Sequence, residues 1–370
     1  MCRKLKICAV LLASLAVMGC ETMHFYGQAV WGQLKLLHAR VPVSKLQGSE
    51  KLDPEIRARL TLAQDILSFA ETRLGLEQDG RYTSYVQLER DHVVWNVFAA
   101  APYSLAGKQW CYPLVGCAPY RGYFSQADAL DAANDYVEQG FETYVGGVPA
   151  YSTLGWFEDP LLSTFILWPE ADLANLLMHE IAHNRIWVVN DTTFNESFAE
   201  FVGNQGARAW LDQRNQKAVW ESWLSEREGW RAFRRFVVQA KAYLGQIYEI
   251  KDQPRAKNLA LTELQVCYGH NRANLGDGRF DKLMQNSFNN AFLVSIGTYT
   301  DWIPGFQAVY FQAQGDWPAF YAAVDELAAM GEAQRTLELG RLTQQQVSHN
   351  ADDQNAHEIN CQPFLSHRFH

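Results

Sequence analysis

Two histidines one helical turn apart, in the middle of an apolar periodic segment, constrain this chain more than any other feature. In Asp172-Leu-Ala-Asn-Leu-Leu-Met-His179-Glu180-Ile-Ala-His183-Asn-Arg-Ile186 the apolar positions Leu173, Leu176, Leu177, Ile181 and Ile186 recur at helical spacing, and Pro169, Glu170 and Asp172 suit a helix start. Such a helix buries one side, so it must pack against other elements and carry its imidazoles with it. Residues four apart share a face, which aims His179 and His183 at one point, where a zinc ion takes nitrogen ligands at about 2.0–2.1 Å. Glu180 lies roughly 100° round the helix from His179 and reaches a water at that point rather than the ion, which is the place of a general base. The plain alternative makes both histidines hydrogen-bonded core residues.

A catalytic zinc site needs a third protein ligand and one open position. Asp191-Thr-Thr-Phe-Asn195-Glu196-Ser-Phe-Ala-Glu200-Phe-Val-Gly203 reads as a second helix, capped near Asp191 or Thr192. Glu196 and Glu200 share a face of it, while Phe194, Phe198, Phe201 and Val202 anchor it to other elements. One carboxylate can ligate while the other orients a ligand histidine, and the spacing alone leaves open which does which. Only residues 184–195 separate His183 from Glu196, so the two helices form a tight hairpin that turns at Val188-Val189-Asn190-Asp191.

The first nineteen residues have the order of a secretory signal: a basic start at Arg3, Lys4 and Lys6, an apolar run from Ile7 to Met18, then Gly19-Cys20. The run is shorter than the roughly 20 apolar residues of a membrane span. Val17-Met18-Gly19-Cys20 resembles a bacterial lipobox, which implies cleavage before Cys20 and a lipid anchor on it, and Glu21 leans toward the outer membrane by resemblance to sorting signals. Without the leader the formal charge moves from −9 to −12, so attachment of the acidic mature chain is expected to rest on acyl chains rather than on anionic headgroups. Basic residues are spread along the chain with no aromatic-interleaved stripe, which excludes a nucleic-acid surface. Of the remaining cysteines, Cys111 and Cys117 are expected to close a short loop containing Pro113 and Gly116. A Cys267–Cys361 pair is left open, because distance along a sequence does not give distance in space.

Helical periodicity marks Phe25–Leu37 and residues 54–76, the latter with Asp53 as N-cap and Pro54 in its first turn. Between Tyr82 and Trp156, runs rich in β-branched and aromatic residues at 93–98, 120–124 and 141–145 predict a small sheet interrupted by a helix near 125–139. Beyond Asp172 long helices return, at 218–250, 254–268, 280–297 and 317–331. The chain therefore divides into a leader (1–19), an N-terminal helical segment (20–80), a catalytic region (81–215), a C-terminal helical region on the same core (216–340) and a polar tail (341–370) with irregularly spaced His349, His357, His367 and His370. The fold class is α+β, mainly helical, with a small sheet ahead of the two metal helices.

Asn195-Glu196-Ser-Phe-Ala resembles the Asn-Glu-x-x-Ala/Ser stretch of gluzincins, in which the glutamate ligates the metal; the resemblance selects Glu196 and leaves Glu200 to orient a histidine. The wider chain resembles the family of putative aminopeptidases found as lipoproteins in proteobacteria. That likeness runs through Val94–Ala100, Trp110–Cys117, Tyr120–Phe124, Val145–Phe157, both metal helices, and Asn289-Asn290-Ala291 with Tyr299. It implies a zincin-like metallopeptidase with one Zn2+ per chain, acting on a peptide or protein. Tyr299 is a candidate oxyanion donor, Tyr151–Trp156 a candidate edge strand for substrate pairing, and Glu142, Glu158 and Asp159 candidates to hold a substrate α-ammonium. An envelope endopeptidase and a non-catalytic zinc scaffold are the competing readings.

Overall fold

The computed structural model describes residues 25–112, 116–150, 158–250, 253–296, 302–350 and 361, with the backbone alone at 347–350. The chain opens with helix α1 (25–38), a short strand β1 (Val41–Pro42) and helix α2 (Val43–Gln47). Helix α3 (Pro54–Leu74) follows, and its boundaries have local causes: Asp53 accepts from the backbone N–H of Glu55, Pro54 stands in the first turn, and Gly75 ends it with φ +67°. Then come β2 (Ser84–Val86), β3 (Val94–Ala100), the hairpin β4 (Trp110–Tyr112) and β5 (Gly116–Ala118), β6 (Arg121–Tyr123), helix α4 (Gln126–Glu138) capped by Ser125, β7 (Glu142–Val148) and β8 (Leu161–Leu162). The rest of the described chain is helical: α5 (Glu170–Arg185), α6 (Thr192–Gln213), α7 (Lys217–Ile247), α8 (Gln253–His270), α9 (Asp281–Asn286), α10 (Asn290–Ile296), α11 (Ile303–Gln312), α12 (Trp317–Ala329) and α13 (Glu332–Asn350).

The three runs read as strands form one antiparallel sheet in the order β6-β3-β7, with Trp95 opposite Tyr123 on one side and Gly147 on the other. A second sheet, β1-β2-β8, mixes an antiparallel and a parallel pair, and β4-β5 stands as a separate hairpin closed by the Cys111–Cys117 disulfide. The molecule is thus a mainly helical α+β protein with small sheets. Cys267 and Cys361 are also bonded, which ties the C-terminal segment to α8.

Three expected helix boundaries differ from the structure. The 280–297 helix is two, because the Asn289 side chain accepts from the N–H of Phe292 and starts α10 afresh. Helix α11 was not foreseen, and α13 runs into the segment expected to be a polar tail: Leu339, Leu342 and Gln346 recur at helical spacing and are buried. The solvated end expected at the C-terminus lies, for residues 351–360 and 362–370, outside the described residues.

The largest buried cluster joins α3, α5 and α6 to α11, α12 and α13, with Phe194, Phe198, Phe201, Phe306 and Phe320 at its centre. A second unites the C-terminal half of α7 with α8, α9 and α10, and a third fills the space between the β6-β3-β7 sheet and α4. Helices α5 and α6 pack so closely that a Cβ at Gly203 would sit 2.7 Å from the Asn175 carbonyl oxygen and 3.2 Å from His179 Cβ. Gly203→Ala is therefore expected to lower stability by about 1–3 kcal/mol in urea unfolding, whereas Gly340→Ala, in open space on α13, should raise it by up to about 1 kcal/mol.

Candidate metal centre

Helix α5 enters the core held at its first turn by two indoles: Trp210 donates to Glu170 at 2.8 Å and Trp223 to Asp172 at 2.8 Å. Two turns on, the rings of His179 and His183 meet edge to face, with their Nε2 atoms 3.2 Å apart. Helix α6 brings Glu196 to the same point, its two oxygens 3.5 Å from His179 Nε2 and 3.8 Å from His183 Nε2. Tetrahedral zinc with ligands at about 2.0–2.1 Å sets them about 3.3–3.4 Å apart. The observed triangle matches that spacing, so the residues fit a divalent metal, and among the described residues this is the cluster able to hold one.

The tight hairpin is closed by Asn195, whose amide accepts from the Val188 N–H and donates to the Val188 carbonyl, both at 2.8 Å. Its neighbour Glu196 is thereby set in register with α5. Asn190 takes a left-handed conformation at φ +63°, and Asp191 caps α6 by accepting from Phe194 N–H. Buried Arg335 of α13 grips the other Asp191 oxygen through two N–H groups, at 2.8 and 2.6 Å.

Glu200, one turn beyond Glu196, faces the far side of His179: its Oε2 is 3.7 Å from Nδ1. Its Oε1 accepts from Arg227 of α7 and, at 3.3 Å, from Asn204. Asn204 in turn accepts from Asn175, which accepts from Arg227, so the bracket closes on itself. Arg227 also lies over the Trp223 ring, 4.3 Å from its centroid. By position, Glu196 faces both Nε2 atoms, and Glu200 stands behind one ring.

Charge follows from this layout. Burial opposes ionisation of Glu200, but Arg227, His179 and Arg234 outweigh it and bring its pKa to about 2. Glu196 is likewise held below its usual value against burial, by His179 and His183. Burial would lower His179 too, yet Glu196, Glu180 and Glu200 raise it to about 9. His183, buried and next to His179, falls to about 4 despite Glu196. Burial lifts Glu180 to about 7, against the pull of His179 and with Glu196 and Asp159 adding to it. Tyr120, just before β6, is pushed up to about 12 by burial and by the charges of Glu196 and Glu180.

The sequence model of the family described as putative aminopeptidase matches residues 24–339. The chain belongs to the putative aminopeptidase family. No curated protein matches it, and no solved structure does. Family membership and the His-His-Glu cluster agree on where chemistry is to be sought. Of the acids expected near an aminopeptidase substrate, Glu142 is paired with buried Lys257 and accepts from Asn290 N–H at 2.8 Å, and Glu158 is exposed beside Arg40. Asp159 is buried and acts electrostatically on Glu180. Tyr299, Tyr151–Trp156 and Cys20 lie outside the described residues. Arg227, which bonds to Glu200, and Arg335, which holds the cap of α6, escaped the sequence reading because nothing local ties them to the motif.

With His179 protonated below about pH 9 in the metal-free site, a cation must displace that proton. Zinc uptake is expected to release close to one proton at pH 7, and apparent affinity to rise about tenfold per pH unit up to pH 9; calorimetry in buffers of different ionisation enthalpy measures both. Arg227→Ala should weaken zinc binding about 10–100-fold in chelator competition, with Arg227→Lys in between.

Proposed function

We propose that this protein is a zinc-dependent aminopeptidase of the bacterial envelope, exported by its leader and anchored through Cys20. One Zn2+ would be held by His179, His183 and Glu196, in a zincin-like arrangement. The observation that carries the reading is the convergence of those three side chains from two helices, with Glu180 beside them. Such an ion supplies Lewis-acid activation of water and of a carbonyl group.

The chain's own residues divide the remaining work. Glu180, as carboxylate, takes a proton from the attacking water while the water oxygen bonds to the peptide carbonyl carbon. When the C–N bond breaks, Glu180 returns that proton to the leaving amine. In the metal-free site burial raises Glu180 to about 7, and a bound cation would favour its carboxylate, the form that accepts the proton. Burial and the charges of Glu196 and Glu180 raise the Tyr120 phenol to about 12, so it stays protonated at neutral pH and is, beside Tyr299, a candidate to donate a hydrogen bond to the developing oxyanion. Asp159, buried and electrostatically coupled to Glu180, is a candidate to hold the α-ammonium of a free N-terminus.

The test is hydrolysis of paired peptides with free and acetylated N-termini by the zinc-loaded protein. Glu180→Gln is expected to keep stoichiometric zinc and lose about 10²–10⁴ in kcat, and acetylation to abolish cleavage by the wild type. Full activity of Glu180→Gln would refute the assignment of the base, and equal cleavage of both peptides would replace the aminopeptidase by an endopeptidase.

A further inference from the structure

Helix α1 is mounted firmly on the protein. Gln28 accepts from Phe124 N–H at 3.1 Å and donates to the Gly122 carbonyl at 3.2 Å, Gly32 lies against the Phe124 ring where a Cβ would be only 2.2 Å away, and Phe25 and Leu36 are buried. Its outward face is consequently fixed, and that face is apolar: Tyr26, Val30, Trp31 and Leu34 are 40%, 59%, 61% and 52% exposed. Positions 26, 30 and 34 form one stripe, one turn apart, with Trp31 beside it.

Charge sets this helix apart as well. The chain carries 41 acidic residues against 32 basic ones, yet residues 25–49 contain no acid, while Lys35, Arg40 and Lys45 lie among them. Lys35 stands 5.3 Å from the Trp31 ring centroid, its ammonium at the border of the apolar stripe. An apolar face with aromatic residues, on a helix that carries Lys35 and no acid of its own, is the composition of a helix that lies in a membrane interface. Only residues 21–24 separate it from Cys20, a reach of at most about 17 Å.

We propose that α1 is an interfacial helix, its Tyr26–Val30–Trp31–Leu34 face seated in the headgroup region of the leaflet that holds the acyl chains of Cys20. This rests on the reading of Cys20 as the lipid-anchored residue. A single acyl attachment site leaves a protein free to swivel; a helix clamped to the body and laid on the bilayer fixes which side of the protein faces the membrane.

The experiment uses the full chain, expressed with its own leader and reconstituted in vesicles of phosphatidylethanolamine and phosphatidylglycerol. Val30→Cys, and as control Val238→Cys at an exposed position of α7, carry a polarity-sensitive fluorophore; the four cysteines at 111, 117, 267 and 361 are bonded in pairs and do not compete. The label at 30 is expected to shift to the blue and to be quenched by nitroxide lipid, and the label at 238 to do neither. Mass spectrometry of the N-terminal peptide reports the acyl group independently. If Cys20 is acylated and the label at 30 matches the control, the face is not membrane-bound and the proposal falls while the anchor stands. A blue shift without lipid quenching means that protein covers the face, and overturns it equally. An unacylated protein that does not float with the vesicles removes the anchor and the proposal together.

Discussion

The closeness of α5 and α6 is the constraint on which the site depends. Two helices can bring side chains from both to one cation-sized point only if their backbones nearly touch, and Gly203, facing Asn175 and His179, permits that approach. Gly206 continues the contact one turn on, where a Cβ would collide with Met178. Asn195 then sets the register along the helices, because its amide can pair with both backbone groups of Val188 in only one arrangement. Glu196 inherits its position from its neighbour. The phenylalanines of α6 hold the hairpin against α11 and α12.

Burial of Glu180, Glu196 and Glu200 around two imidazoles would be prohibitive without compensation, since isolated charges are strongly disfavoured in a poorly solvated interior. Compensation comes from an element distant in sequence. Helix α7 contributes Trp223 to the first core and the stretch from Ala232 to Ile247 to the second, and between them it places Arg227 on Glu200. The same arginine reaches Asn175 on α5, so one guanidinium ties the two metal helices to a third. Removal of any one member leaves a buried partner unsatisfied, which is the reason such brackets behave as units.

A second buried node does comparable work away from the metal. Lys257 of α8 meets Glu142 of β7 and the Pro102 carbonyl, while Asn290 at the start of α10 bonds to Glu142, to the carbonyls of Ala101 and Pro102, and to the Tyr248 hydroxyl. It locks the β6-β3-β7 sheet to the second helical core. Glu142 is engaged there by Lys257 and Asn290.

The sequence by itself determined the elements whose causes are local: α3 between Asp53 and Gly75, α4 from Ser125, the three strands of the main sheet, the Cys111–Cys117 loop, and two helices carrying His179, His183 and a pair of acids. Periodicity, caps and short cysteine spacing act over a few residues and can be read without a fold. The tertiary structure alone decided that Glu196 faces both imidazoles while Glu200 stands behind one, that Arg227 braces Glu200 and Arg335 the cap of α6, and that Cys267 meets Cys361. Those outcomes depend on distances between segments tens of residues to more than a hundred residues apart, and such distances are set by packing of whole helices rather than by any pattern within one.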